Sequence, residues 1–193
     1  MDIQPITLEG RAARLEPLEA RHAASLAEVA TPEIFTFTFP PREISEAGLR
    51  EGIAMLRAMP GFCSFAIVAR EHGRAVGMTS YLDIRPRDRA LEIGFTWVAK
   101  PYQGTAVNPE CKFMLFRHAF EEQGAVRVQL KTDARNLQSQ RAIEKLGAVR
   151  EGVLRKHMIM PNGHVRDTVM YSVTVDEWPA VRARLEQRLG YAV

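Results

Sequence analysis

Cysteine is scarce in this chain, and long apolar runs are missing. The 193 residues include two cysteines, Cys63 and Cys111, which stand in apolar surroundings without the spacing of a metal or redox motif. We therefore expect two buried free thiols in a protein of a reducing compartment. No run of about 18 apolar residues occurs, so we expect no membrane-spanning helix. The first 17 residues lack the apolar segment of a secretory signal, which favours a cytoplasmic protein.

An excess of charge of one sign is also missing. The sequence has 26 basic and 23 acidic residues, a formal net charge of +3. That excess is too small to indicate nucleic-acid binding, although it suits an anionic ligand. The basic stretches "RPRDR" and "LRKHM" come without the aromatic pattern of an RNA-binding sheet. The five histidines show no metal-ligand spacing, and no Walker loop or GxSxG turn occurs. We expect no metal and no nucleic-acid partner.

The elements that are present indicate one α+β domain. With 46% hydrophobic and 25% charged residues, the chain has the composition of a soluble globular protein, and its length predicts a single domain over 1–193. Alternating patterns predict seven strands, at 6–18, 62–70, 75–84, 90–99 and 126–132 and on both sides of Asn162-Gly163. Helical spacing predicts five helices, at 19–30, 44–58, 108–123, 136–147 and 176–189. This order predicts a mixed, mostly antiparallel sheet of about seven strands, flanked by helices, with a parallel pair near its centre.

A loop with a glycine precedes the third predicted helix, in the stretch "PYQGTAVNPE". Asn108 suits the N-cap of that helix and Pro109 its first position, so residues 103–107 point free amides along the helix axis. Those amides and the positive end of the helix dipole favour a phosphate, and Gly104 lets an anion approach the backbone. Any loop before a helix shares these features, so the loop alone does not establish an anion site. Glu110 suits the dipole but would repel a phosphate, and we expect it to point away.

This loop and the next strand-helix unit carry two recognisable blocks. The first is Gln103-x-x-Ala106-x-Asn108, and the second is Asn136-x-x-Ser139 followed by "EKLGA". Together they resemble the GCN5-related N-acetyltransferase (GNAT) family, and most of all its branch of Rim-type ribosomal-protein alanine/serine N-acetyltransferases. In the family the first block reads Gln/Arg-x-x-Gly-x-Gly/Ala, so Ala106 and Asn108 depart from it. Ala106 fits only if its φ is negative. The resemblance covers nearly the whole chain in element order and implies acetyl-CoA as co-substrate.

The resemblance also implies roles for single residues. The resemblance implies that the pyrophosphate of CoA is bound by the loop residues Gln103, Gly104, Thr105, Ala106 and Asn108. Pantetheine is expected in a gap where two parallel strands splay, beside Trp97, Val98 and Asn136; Trp97 is also expected to be part of the core. Backbone amides at 96–98 would donate hydrogen bonds to the thioester carbonyl oxygen. Ser139 is the candidate partner of the leaving thiolate, because Ile143 replaces a tyrosine that many members use as an acid. Arg141 either contacts the 3′-phosphate or lies on a solvated face with Glu144.

Two carboxylates compete for the role of general base. Glu92 lies in the strand before the loop, where the family often places a carboxylate, and an ordinary polar strand residue is an equally good interpretation. Asp83 lies nine residues earlier at a strand end, where a turn residue is the simpler interpretation. A base is needed because the attacking amine must be neutral, although its usual pKa is about 8 to 10.

The acceptor side gives the least information. Residues 150–172 are expected to form one wall of the acceptor site, with Arg155, Lys156, His157, Asp167 and Tyr171 as the residues that face it. The acceptor is a protein N-terminal α-amine, as the Rim-type resemblance implies, or a small amine. The aromatic stretch "PEIFTFTFPPRE" either closes over a small ligand or packs on the core. The alternative function is a non-catalytic acyl-CoA-binding module, and open sheet edges are compatible with a homodimer.

Overall fold

The chain folds around one eight-stranded sheet in the order β1-β2-β3-β4-β5-β6-β8-β7. The structure, a computed structural model, describes residues 1–191. The strands are β1 (Leu8–Glu9), β2 (Ala13–Pro17), β3 (Cys63–Ala69), β4 (Arg74–Arg85), β5 (Ala90–Val98), β6 (Arg127–Asp133), β7 (Val149–Ile159) and β8 (Val165–Thr174). All neighbours are antiparallel except β5 and β6. The predicted mixed α+β sheet with one parallel pair is confirmed. It has eight strands because a tight turn, closed by the Gly10 amide on the Ala13 carbonyl at 2.9 Å, divides the first predicted strand.

The five predicted helices are also found. They are α1 (Ala23–Val29), α2 (Glu46–Ala58), α3 (Val107–Arg117), α4 (Leu137–Leu146) and α5 (Trp178–Leu189). A π-helical turn at His118–Glu122 extends α3 and completes the predicted helix at 108–123. The α4 ends follow from single residues, since the Asn136 side chain accepts the Ser139 amide at the start and Gly147 adopts φ 101° at the end.

Helices cover both faces of the sheet. On one face α3, α4 and α5 pack in a core that includes Leu91, Leu115 and Tyr171, all fully buried. On the other face α1 and α2 cover β3 to β5. Cys63 and Cys111 are buried free thiols, as expected, and burial raises their pKa to about 11 and about 12. Each large apolar side chain buried this way stabilises the fold by about 1.5–3 kcal/mol.

The parallel pair opens after three residues. β5 and β6 are paired only from Ala90↔Arg127 to Glu92↔Gln129, and both strands then continue apart. β5 also bulges against β4, because the register shifts between Gly94 and Trp97 and Phe95 adopts φ 49°. The splay expected from the resemblance is therefore present, and it leaves one edge of β5 without a strand partner.

β7 forms one outer edge of the sheet and carries exposed apolar side chains. Its Val153, Leu154 and Ile159 are 40%, 45% and 73% exposed. Such an edge is compatible with the predicted homodimer, which stays a prediction. No helix within residues 1–191 combines the length and the apolar character needed to cross a membrane.

Candidate active site

The loop between β5 and α3 presents its backbone to solvent. Gly104 adopts φ +79°, and no atom lies within 4 Å of the position that a Cβ would take. The amides of Gly104, Thr105, Ala106 and Asn108 have no hydrogen-bond partner among residues 1–191. They stand at the N-terminus of an eleven-residue helix, where the helix dipole adds positive potential. The loop therefore has the features of an anion site.

The helix start is not where the sequence places it. Ala106, with φ −69°, caps α3, so Asn108 is a second-position residue and Pro109 a third-position residue. The predicted N-cap at Asn108 is wrong because the Thr105 hydroxyl already accepts the Val107 amide at 3.3 Å, and helical geometry begins two residues earlier. The negative φ required of Ala106 is confirmed. The Asn108 Oδ1 atom is buried without a hydrogen-bond partner among the described residues.

The Gln103 side chain ties the loop to its neighbours. Its Nε2 donates to the Val98 carbonyl at 3.0 Å, and its Oε1 accepts from Gln138 in α4 at 3.2 Å. Gln103 thus fixes the end of β5 relative to the start of α4. The pyrophosphate contact of Gln103 stays a prediction, and its side chain is already bonded within the fold.

Glu110 points away from the loop, as expected. Its carboxylate, 2% exposed, accepts the backbone amides of Arg11, Ala12 and Ala13 at 2.7–2.8 Å, and the Tyr191 hydroxyl also donates to it. These contacts anchor the turn between β1 and β2 to the first turns of α3. Glu110 is therefore a structural residue that holds the helix under the loop.

Glu92 occupies the point where β5 and β6 part. It is 1% exposed, and its Oε2 lies 2.9 Å from the Lys131 ammonium and 3.2 Å from the Gln129 amide nitrogen. The same nitrogen of Gln129 donates to Asp83 at 3.1 Å, so the two rival bases share one neighbour. Asp83 is exposed at the end of β4, whereas Glu92 faces the gap. Glu92 is therefore buried where the gap begins, and Asp83 is solvent-exposed.

The first turn of α4 follows the end of β6 and is linked to the loop after β5 by the hydrogen bond between Gln138 and Gln103. The Asn136 side chain accepts the Ser139 amide at 3.0 Å, the Ser139 side chain is half-buried, and Arg141 is exposed. Ile143 is 7% exposed within the core, and its side chain has no acidic group. Trp97 is likewise a core residue, with its ring 5.6 Å from the Phe35 ring. At the open edge of β5, Trp97 and Val98 therefore present backbone groups rather than side chains.

Residues 32–43, here called the aromatic segment, lie between α1 and α2 and reach over the gap. Phe39 stacks on Phe95 of the β5 bulge at 5.6 Å, and the Arg135 guanidinium lies 5.5 Å from the Phe37 ring. The segment therefore spans from β5 to the residues after β6, and it does more than pack on the core.

On the predicted acceptor wall, the Asp167 carboxylate accepts the Lys156 amide at 2.7 Å, and the Tyr171 hydroxyl donates to Glu144 at 3.0 Å. Both side chains are used within the fold.

The sequence interpretation missed a buried lysine. Lys112 lies in α3, is 5% exposed, and donates to Thr96 at 2.7 Å and to Thr79 at 3.3 Å. No carboxylate among the described residues lies within ion-pair distance of it. Burial lowers its pKa to about 8. The available signal was a lone lysine inside the apolar arc of "CKFMLF". Thr96 belongs to the β5 bulge, so Lys112 fastens α3 to the strand beside the gap.

Replacing Lys112 by methionine is expected to be about 2 kcal/mol more favourable to stability at pH 7 than at pH 9.5, because folding lowers the lysine pKa from 10.5 to about 8. Below pH 8 both states carry the charge and the folded state bears the full burial penalty. Between pH 8 and 10.5 the folded lysine loses its proton while the unfolded one keeps it, so the penalty, and with it the gain of the variant, fades. Urea unfolding at pH 7 and at about pH 9.5 measures this. Lys145→Met, at an exposed position, is the control; a gain independent of pH would contradict the assignment.

The chain is similar to known acetyltransferases in sequence or in structure. A family model described as an acetyltransferase (GNAT) domain matches residues 13–149. A protein of T. thermophilus classed among the acetyltransferases is similar in structure, with 44% identity, coverage of 98% of this chain and 100% of that chain, and a TM-score of 0.92. A GCN5-related N-acetyltransferase from Brucella melitensis has 27% identity, coverage of 97% and 86%, and a TM-score of 0.90. Mycobacterium smegmatis RimJ in complex with CoA-disulfide, at 20% identity, coverage of 96% and 95% and a TM-score of 0.82, shares the fold. No curated protein sequence matches significantly.

Proposed function

Because the chain belongs to the GNAT acetyltransferase family, we propose that it transfers an acetyl group from acetyl-CoA to a primary amine by direct attack. The observation that carries this proposal is the run of unpartnered amides at 104–106 and at Asn108, which stands directly between the open edge of β5 and the N-terminus of α3. No covalent enzyme intermediate is needed, because placing both substrates side by side supplies much of the rate. Within residues 1–191 no group of three or more His, Cys, Asp or Glu side chains is placed to hold a metal ion.

The residues around the gap fit the parts of CoA. The loop amides and the α3 dipole suit its pyrophosphate, and Gly104 leaves room for an oxygen to approach the backbone. The open edge of β5, at Trp97 and Val98, suits the amides of the pantetheine arm, which would add as a further strand. Arg141 is exposed near the start of α4, where either a solvated role or a contact with the 3′-phosphate is compatible with its position.

Glu92 is assigned the role of general base. It takes the proton of the acceptor amine, directly or through a water, as the nitrogen forms a bond to the thioester carbon. Backbone amides of the β5 bulge stabilise the negative charge that develops on the carbonyl oxygen. The carbon–sulfur bond then breaks, and the Ser139 hydroxyl is proposed as the hydrogen-bond donor to the departing thiolate. Ser139 takes this role because Ile143 brings no acidic group to the gap.

The acceptor that the site supports best is a small amine. The aromatic segment with Phe37 and Phe39 covers the gap, whereas a protein N-terminus needs an open groove. A screen with acetyl-CoA that follows CoA release decides between these acceptors, and a ribosomal-protein peptide as the best acceptor would reverse the preference. CoA that binds but is not released from acetyl-CoA with any amine would favour the non-catalytic module.

The two free thiols suit the reducing cytoplasm, and we propose the cytoplasm as the location of the protein.

Replacing Gly104 by valine is expected to weaken CoA binding about 10-fold or more, since a β-branched residue is strained at positive φ and its methyls occupy the approach to the amides. Isothermal titration calorimetry with CoA measures the change. Gly61→Val is the matched control, because Gly61 also has a positive φ of 75° with no atom within 4 Å, but it lies before β3. Equal CoA affinity in both variants would contradict the placement of the pyrophosphate. No heat from the unmodified protein with CoA would remove the proposed function itself.

A further inference from the structure

One buried arginine on the acceptor side has no carboxylate partner among the described residues. Arg166 in β8 is 6% exposed, and its Nε is buried without a hydrogen bond. Among the described residues no carboxylate lies within ion-pair distance of its guanidinium, since Glu92 and Asp133 are paired with Lys131 and Arg135. Burial lowers its pKa, although the charges of Asp133 and Glu92 act in the opposite direction. A buried charge without a carboxylate partner is costly, and an anionic ligand bound at this point would offset that cost.

The acids around Arg166 are already paired with other cations. Asp133 is bonded to the Arg135 side chain at 2.8 and 3.0 Å, and Glu92 is paired with Lys131 at 2.9 Å. Glu92, Lys131, Asp133, Arg135 and Arg166, here called the charged cluster, therefore hold one positive charge in excess. His157, whose pKa is lowered by burial and by the nearby Lys131 and Arg166 charges, adds none when neutral.

The charged cluster lies beside the proposed reaction centre. Side chains of register partners share a face of the sheet. Glu92 pairs with Gln129, two residues before Lys131, and Asp133 pairs with Thr168, two residues after Arg166. These side chains therefore point to the same face. The aromatic segment between α1 and α2 covers that face, since the Phe37 ring lies under Arg135.

We propose that Arg166 binds an acidic group of the acceptor, a carboxylate or a phosphate, so that the substrate is a small amine that also carries an oxyanion. This inference rests on the proposed function and narrows its acceptor. The planar guanidinium offers paired N–H donors that match either oxyanion, and the excess positive charge disfavours a polyamine. The amine of the same molecule would then be directed toward Glu92, and the two ends of the substrate would be held by opposite charges.

The test compares pairs of amines that differ in the acidic group alone. O-phosphoethanolamine is set against ethanolamine, an α-amino acid against its decarboxylated amine, and a neutral peptide with an N-terminal alanine serves as a third arm. We expect the acidic member of at least one pair to have a kcat/KM about 100-fold higher than its partner, which identifies phosphate or carboxylate as the group. Equal rates within both pairs, or a faster reaction of the neutral peptide, would overturn the inference.

Arg166→Met supplies the second measurement. We expect it to lose the preference for the acidic amine through KM, to keep the CoA affinity of the unmodified protein, and to unfold at an equal or higher urea concentration. Arg50→Met, at an exposed arginine paired with Glu46 on α2, is the control and should change none of these. A clearly lower unfolding midpoint of Arg166→Met would assign Arg166 a structural role instead. This measurement decides the matter even if no amine of the panel reacts. Normal CoA binding alongside either failure would leave the proposed acetyl transfer in place.

Discussion

Replacing Glu92 by glutamine is expected to lower kcat about 10²- to 10⁴-fold, the usual contribution of a positioned general base. Glutamine keeps the size of the side chain and its contact with Gln129, but it cannot accept the proton of the amine. The CoA affinity should not change, because the loop amides lie outside this contact. Steady-state kinetics with the best acceptor, across the pH range where the amine titrates, and calorimetry with CoA measure both quantities.

Asp83→Asn is the matched control for Glu92. Both carboxylates are bonded to the same Gln129 nitrogen, but Asp83 lies exposed on the outside of that contact. We expect Asp83→Asn to retain most of the activity. A large loss in the Asp83 variant, together with an unchanged pH–rate profile in the Glu92 variant, would transfer the base role to Asp83.

Replacing Glu110 by alanine is expected to lower the free energy of unfolding by about 3 kcal/mol, because buried amides that lose their acceptor each cost about 1–3 kcal/mol. The amides of Arg11, Ala12 and Ala13 and the Tyr191 hydroxyl all donate to this one carboxylate. Urea unfolding at neutral pH measures the loss.

The variant Glu110→Gln distinguishes the contribution of the hydrogen-bond acceptor from that of the negative charge. Its amide oxygen still accepts backbone N–H groups, so we expect a smaller loss than in Glu110→Ala. Glu122→Ala, at an exposed position after α3, should change the stability little. A loss in Glu110→Ala no larger than in Glu122→Ala would show that the anchor between the β1–β2 turn and α3 is dispensable.

The elements of the fold could be predicted from local patterns. The helix at 136–147 carried both of its end signals, Asn136 and Gly147, and the structure uses both. The family resemblance supplied the splay of the parallel pair, which no local pattern encodes. The division of the first strand was missed because the turn at Gly10 depends on the Glu110 carboxylate, which occupies the space that a Cβ at residue 10 would need. That contact joins residues about a hundred positions apart.

The site was predictable to the extent that backbone determines it. The open approach to the backbone at Gly104 and the exposed amides follow from loop chemistry, but the choice between Ala106 and Asn108 as the cap depends on how Thr105 turns its hydroxyl. The direction of Glu110 followed from charge repulsion alone. Lys112 and Arg166 could not be assigned from sequence, because a cation in an apolar pattern shows that it is buried and does not show what it faces.

The two buried thiols have a practical consequence for enzymology. Every turnover would liberate one molecule of CoA, whose sulfhydryl reacts readily with chromogenic disulfide reagents. Cys63 and Cys111 are buried, and with pKa values of about 11 and about 12 they hold little thiolate at neutral pH. A colorimetric assay with such a reagent should therefore start from a blank baseline with native protein. The same reagent should titrate two further equivalents per chain once the protein is denatured, which makes it a built-in measure of the folded fraction.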